Sequence, residues 1–225
     1  VAQTMQMGVP MARIEFMDAL GMRAVNLHLG SNYPEQPHLM VEFNGAPEAV
    51  KRDAELFGAI AEEHHGAGFA WATSLEERNR LWAARHASYY AALKLRPGAT
   101  GISTDICVPM SELPAAVAAA SADMHASGLI GDVVGHVGDG NFHVLMLLEP
   151  GNQAEIAIAK GVAERMAHRA LAVGGTISGE HGIGVGKRGL MEAQHGPAWA
   201  VMGTIKRALD PNNIMNPGKM VPDMN

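Results

Sequence analysis

Residues 135–143 read Gly135-His136-Val137-Gly138-Asp139-Gly140-Asn141-Phe142-His143 (GHVGDGNFH), and the pairing of this stretch decides the fold. An Asp-Gly pair between strand-like runs is a strong hairpin signal, because both central positions of a type I′ turn take positive φ. The flanks are apolar, Leu129–Val137 before the turn and Phe142–Leu148 after it. With Asp139 and Gly140 as the loop, Gly138 faces Asn141, Val137 faces Phe142 and His136 faces His143. Directly opposed residues share a face, with Cβ atoms about 4.5–5.5 Å apart. Val134 and Leu145 continue that face, so both imidazoles project from a mostly dry sheet. Two imidazoles held this way can meet one metal at roughly 2.0–2.1 Å per bond. A hydrogen-bonded pair of core histidines fits the same spacing.

Working outward, strand-like and helix-like runs alternate. Ala12–Met17 and His38–Phe43 read as strands, the second closed by Asn44-Gly45. Between Pro47 and His65, Val50, Ala54, Phe57, Ile60 and Ala61 recur at helical spacing. Ser74 with Glu77 is a capping-box signature for a helix running to about Leu95, stopped by Pro97-Gly98. Gly101–Val108 reads as one strand, and Ser111 to about Ser127 as an Ala-rich helix ended by Gly128. Further helices span Gln153 to about Leu171 and about Pro197–Leu209. The expected fold is α+β, an antiparallel sheet with helices packed mainly on one face. Residues 1–195 form its main domain. Residues 196–225 are a C-terminal helix and tail with little core-forming pattern, expected to dock on something else.

Composition narrows the function. Of 225 residues, 48% are hydrophobic and 18% charged, which excludes a disordered chain. The net charge of −6 carries no basic footprint, so nucleic acid is not an expected partner. A lone cysteine, Cys107, precludes an internal disulfide framework and fits a reducing compartment. No apolar run approaches the roughly 20 residues of a membrane span. The chain opens Val1-Ala2-Gln3 with no initiator Met and no signal-peptide pattern, and reads as a portion of a longer polypeptide.

Residues 174–188 (GGTISGEHGIGVGKR) hold so many glycines that backbone must approach something closely. A P-loop ending at Gly186-Lys187 would need Gly at 181 and Ser or Thr at 188, where the chain has His181 and Arg188. Residues 184–189 match GxGxxG, but no strand feeds them as a dinucleotide fold requires. What remains is Glu180-His181. Glu180 could complete a His-His-carboxylate metal site with open positions, and His181 would stand beside it as a general base. A polar pair on an exposed loop is the alternative.

Taken together, GHVGDGNFH (135–143), GGTISGEHGIG (174–184) and DPNNIMNPGK (210–219) resemble the signature of the C-terminal, cap domain of FAD-linked oxidases, the vanillyl-alcohol-oxidase-like superfamily. Residues 77–114 resemble its cytochrome-type D-lactate dehydrogenase branch, and the likeness runs from about residue 10 to 222. The resemblance implies a ferredoxin-like cap over a flavin, with His136, His143 and Glu180 as metal ligands and His181 as base. It also implies Arg85 at the substrate carboxylate and Asn216 near the flavin. Read without it, Arg85 is a helix-surface arginine among Arg78, Arg80 and Trp82. Where the hydroxyglutarate branch grips a second carboxylate, this chain has Tyr89, Ser103 and Leu145, which suit a short, apolar-tailed acid.

The implied reaction is oxidation of a 2-hydroxy acid to a 2-oxo acid with hydride transfer to flavin. FAD would be bound mainly by a domain outside residues 1–225, in the same or another chain, and the 225 residues alone would be inactive. Zinc is the first choice of metal and manganese the second. Partners would be the small 2-hydroxy acid, the FAD-binding domain and an electron acceptor. The location would be cytoplasmic, or mitochondrial in a eukaryote, with peripheral membrane contact allowed. Two other readings stay open: a metal-dependent hydrolase using the same triad, and a non-catalytic module of a split flavoprotein.

Overall fold

The computed structural model describes residues 1–221. Its strands are β1 (Arg13–Met17), β2 (His38–Glu42), β3 (Thr100–Ser103), β4 (Ile106–Cys107), β5 (Ile130–Gly135) and β6 (Asn141–Leu148). Its helices are α1 (Ala2–Gln6), α2 (Ala19–Leu29), α3 (Pro47–Glu63), α4 (Leu75–His86), α5 (Ser88–Ala92), α6 (Leu113–Ser127), α7 (Gln153–Ala172), α8 (Gly184–Lys187), α9 (Met191–His195) and α10 (Ala198–Leu209). The sheet runs β2-β1-β5-β6-β3, with β4 also on β6, and every pairing is antiparallel.

β6 is central, and all eight of its residues are buried. Both faces of the sheet are therefore covered. On one face, Val133, Phe142, Val144, Met146 and Leu148 pack against the long helices α3, α6 and α7 through Phe57, Ala120, Met124, Val162 and Met166. The other face takes the shorter α2 and α5, which meet Met17 and Val134 through Met22, Val25 and Ala91. α2 has no counterpart in the sequence reading. It starts at Asp18, whose carboxylate accepts from Gly21 N (2.7 Å) and Val133 N (2.9 Å), and ends at Gly30 with φ 64°. One side chain thus caps a helix and ties it to the sheet.

Three local expectations are corrected. The helix from Ser74 begins with its expected cap, Ser74 Oγ accepting from Glu77 N, but breaks at Ala87 into α4 and α5. The single strand expected over Gly101–Val108 is interrupted at Thr104-Asp105. Thr104 Oγ1 accepts from Val144 N there, and the ladder resumes at Ile106.

The hairpin is present, with a different register. His143 pairs with Val134, two residues from the expected His136. No tight two-residue turn forms, since Gly140 (φ 75°) alone among residues 136–140 has positive φ. Instead the segment is drawn onto neighbouring strands: Gly138 N donates to Ile14 O and Val108 N to Gly140 O. A Cβ on Gly140 would lie 2.2 Å from Val108 O, so only glycine permits this approach. A two-residue slip preserves the face of every side chain. His136 and His143 accordingly stay on the same side.

Candidate functional site

The site lies where the β5–β6 loop, the β3–β4 break and the glycine-rich loop meet. His143, 8% exposed at its side chain, comes from β6, and His136 follows the last residue of β5. Glu180 enters from the 174–188 loop, its Oε1 3.3 Å from His136 Nε2 and 3.0 Å from His143 Nε2. The ligand-capable atoms of these three residues all lie within 4.8 Å of one another. His181 Nε2 stands 3.6 Å from the same oxygen, and its ring centroid is 5.1 Å from that of His143.

Hydrogen bonds fix the histidine tautomers. His143 Nδ1 lies 3.1 Å from Thr104 O, which can only accept, so Nδ1 carries the proton and Nε2 a lone pair. Burial pushes the His143 pKa down, favouring the neutral ring against the opposing bond to Thr104 O and the charges of Asp105 and Glu180. His136 Nδ1 lies 2.6 Å from Glu15 Oε1, while Arg85 Nε donates to Glu15 Oε2 at 2.9 Å. With its carboxylate engaged by Arg85, Glu15 acts as acceptor from His136 Nδ1, and the Nε2 of His136 faces Glu180.

Two imidazole Nε2 atoms and a carboxylate oxygen therefore converge. With both Nε2 atoms unprotonated, all three are acceptors that one shared cation would satisfy. Ligands at roughly 2.0–2.1 Å on a tetrahedral metal sit about 3.3 Å apart, close to the observed 3.0 and 3.3 Å. Imidazole with a carboxylate behind it is also the usual arrangement of a metal-ligating histidine. His136, His143 and Glu180 could hold a divalent metal.

Of the residues singled out from sequence, the structure brings together His136, His143, Glu180 and His181. Arg85 joins them through Glu15, with Nη1 donating to Ser88 Oγ at 3.3 Å. Tyr89 and Leu145 both flank Gly101, two residues before Ser103 on β3. Ser103 pairs with Leu145 across the sheet, and a Cβ on Gly101 would lie 2.8 Å from Leu145 Cδ1 and 3.4 Å from Tyr89 Oη. Leu145 is two residues along β6 from His143, on the same face.

Asn216 lies exposed in the tail at φ 46°. The tail folds back on its own helix: Asp210 caps Ile214 N and Met215 N, Lys206 reaches Asp210 and Met215 O, and Trp199 Nε1 donates to Met220 O. Residues 222–225 lie outside the described residues.

Sequence reasoning missed Glu15, Thr104 and Asp105. Each was visible as a polar residue inside an apolar strand run, a pattern that calls for a partner.

Sheet and helices define an α+β domain with an open antiparallel sheet. A solved 4-ethylphenol oxidase from Gulosibacter chungangensis shares the fold over 92% of this chain and 47% of its own, with TM-score 0.65 at 15% identity. The chain belongs to the family described as FAD linked oxidases, C-terminal domain, which it matches over residues 1–220. It is 45% identical over 220 residues to a probable mitochondrial D-lactate dehydrogenase of Danio rerio, covering 97% of this chain and 44% of that protein. It is 37% identical to a mitochondrial cytochrome-type D-lactate dehydrogenase of Arabidopsis thaliana, covering 97% and 39%. The chain thus spans less than half the length of these relatives. Among the described residues no helix is long and apolar enough to cross a membrane.

Proposed function

We propose that this chain is the substrate- and metal-binding portion of an FAD-dependent D-2-hydroxy-acid dehydrogenase of D-lactate type. The observation that carries the reading is the convergence of two imidazole Nε2 nitrogens on one carboxylate oxygen. His136, His143 and Glu180 would hold zinc or, second, manganese, as two imidazoles and a carboxylate suit either. When bound, the metal supplies Lewis-acid polarisation of the substrate hydroxyl and the flavin an acceptor for hydride.

The chain's residues do the rest. His181, 61% exposed and beside Glu180, takes the hydroxyl proton at Nε2. Arg85, with Nε on Glu15 and Nη1 on Ser88, offers its remaining Nη2 to the substrate carboxylate. Tyr89, Ser103 and the buried Leu145 carry no cation, which suits a short acid such as lactate over one with a second carboxylate.

FAD is held mainly by a domain beyond these residues. Residues 196–225 dock on that domain, with Asn216 toward the flavin. Exposed Val201, Ile205 and Leu209, one helical face of α10, with exposed Ile214 and Met215, support this docking. An electron acceptor completes the turnover. The word mitochondrial in the names of the relatives supports that location in a eukaryotic source.

The test uses both the chain and the enzyme containing it. Calorimetric titration of the 225-residue chain with Zn²⁺ should show one site, lost in His143→Ala. The full enzyme should oxidise D-lactate and lose activity to a chelator. A chain that binds neither Zn²⁺ nor Mn²⁺ would refute the metal site, and an enzyme inert toward 2-hydroxy acids would refute the dehydrogenase.

A further inference from the structure

We propose that Asp105 is a positioning residue, which sets the backbone of Glu180 and His181 against the two sheet histidines and so makes the metal site competent. The inference rests on the metal reading above.

Asp105 occupies the break between β3 and β4 and is 2% exposed. Asn141 Nδ2 donates to Oδ1 at 2.9 Å from the start of β6, the strand that carries His143. All its other donors come from the glycine-rich loop. Ser178 Oγ (2.9 Å), His181 N (2.9 Å) and Lys187 Nζ (3.0 Å) reach Oδ2, and Glu180 N lies 3.2 Å from Oδ2 and 3.3 Å from Oδ1. Burial alone would raise the Asp105 pKa, but the bonds from Asn141, His181 N, Lys187 and Ser178 hold it well below the ordinary carboxylate range. The loop is closed onto this one group at both ends, at Ser178 and at Lys187. The two amides in between belong to the proposed ligand and the proposed base. Gly179 lets the loop come so close: a Cβ there would fall 1.5 Å from Asn141 Nδ2 and 3.0 Å from Asp105 Oδ1.

Asp105, His143 and His181 also offer ligand atoms within 4.8 Å of one another, a rival metal position. The donor count decides against it. A carboxylate has about four lone-pair sites, and five groups already donate here, one an ammonium. Another cation would have to displace Lys187. Asp105 braces the site and does not ligate.

Asparagine keeps the size of Asp105 but turns one acceptor oxygen into a donor NH₂, facing donors it cannot accept from. In the 225-residue chain, Asp105→Asn should weaken Zn²⁺ binding about 10–100-fold, the usual effect of losing a group that orients ligands. Co²⁺ in place of Zn²⁺ should show an altered visible spectrum, because the geometry of Glu180 changes. Amide exchange at Glu180 and His181 should quicken relative to β6 amides. A fall in melting temperature with Zn²⁺ affinity and Co²⁺ spectrum unchanged would make Asp105 merely structural and overturn the proposal. If the wild-type chain binds neither metal, the metal reading fails, and exchange decides: unaltered Glu180 and His181 protection in Asp105→Asn overturns the brace as well. Should Asp105→Asn not fold, Lys187→Met carries the test. It removes one donor and should shift the Co²⁺ spectrum and the exchange in the same direction, and an unchanged spectrum and exchange would overturn the proposal.

Discussion

His136 Nδ1 sits 2.6 Å from Glu15 Oε1, and the other oxygen of that carboxylate holds Arg85 Nε at 2.9 Å. Three residues from β1, α4 and the β5–β6 loop thus form one relay, remote in sequence and joined by the β1–β5 pairing that sets Phe16 opposite Gly135. Its physical consequence is orientation. A histidine whose Nδ1 proton is held by a carboxylate keeps its ring plane and presents Nε2 in a fixed direction.

Glu15→Gln should therefore lower Zn²⁺ affinity of the chain by about 10–100-fold while leaving the fold intact, since glutamine retains the shape. Competition with a coloured chelator measures it. Affinity equal to wild type would show that His136 needs no orienting partner.

Asp132 on β5 makes a prediction about pH. It is 1% exposed, Oδ1 has no hydrogen-bond partner, and burial with the nearby Asp18 charge raises its pKa to about 7, against a smaller opposing effect of Arg85. Burial also raises Asp18. A carboxyl that binds its proton more tightly folded than unfolded stabilises the fold in acid. That stability is lost as pH rises from the unfolded value near 4 to the folded value near 7. Asp132→Asn should remove this slope and be more stable than wild type at pH 8, by on the order of a few kcal/mol. The difference should vanish near pH 4. Urea unfolding at both pH values checks it, and identical midpoints at pH 8 would contradict it.

The hairpin is legible in residues 135–143 because Asp-Gly between apolar runs has few alternatives, whereas its register is not. Register depends on Ile14 O and Val108 N drawing the loop aside, and these lie 124 and 32 residues from their partners Gly138 and Gly140 in the chain. The site survived the misreading because a slip of two residues conserves the face. The β3–β4 break is hidden for a similar reason. Thr104 and Asp105 look tolerable in a short strand, and only the glycine-rich loop, more than 70 residues later, supplies the donors that make the break favourable. Helix α2 escaped because Gly21 and the polar Asn26 and His28 blur its apolar stripe. Its start depends on Asp18, a cap that a period count does not weigh.

Gly179 should tolerate no side chain. The contact at 1.5 Å from Asn141 Nδ2 forces either the loop or Asn141 to move. Gly179→Ala should cost about 1–3 kcal/mol, the range for overpacking, and weaken Zn²⁺ binding at the same time. Gly182→Ala is a control, because a Cβ there meets nothing within 4 Å, though its φ of 74° carries its own strain. Denaturant midpoints and metal titrations of the pair separate crowding from backbone strain. Equal loss of metal affinity in both variants would show that crowding at Gly179 is not the cause.

Arg85 distinguishes two roles by kinetics. If it only supports Glu15, Arg85→Lys in the full enzyme should behave as Glu15→Gln does, with metal loss and no specific change in substrate affinity. If its Nη2 meets the substrate carboxylate, an ammonium cannot reproduce the planar fork. Losing a partner of a desolvated charge costs on the order of 2–5 kcal/mol. We expect the second outcome: kcat/KM for D-lactate falls by at least tenfold at saturating Zn²⁺, with metal content near that of wild type. D-2-hydroxyglutarate should remain the poorer substrate in both enzymes, because Tyr89, Ser103 and Leu145 present no cation to a distal carboxylate. Steady-state rates on both acids, with metal analysis of the same preparations, decide it. Unimpaired turnover would return Arg85 to its contacts with Glu15 and Ser88, and a preference for hydroxyglutarate would remove the lactate-type assignment.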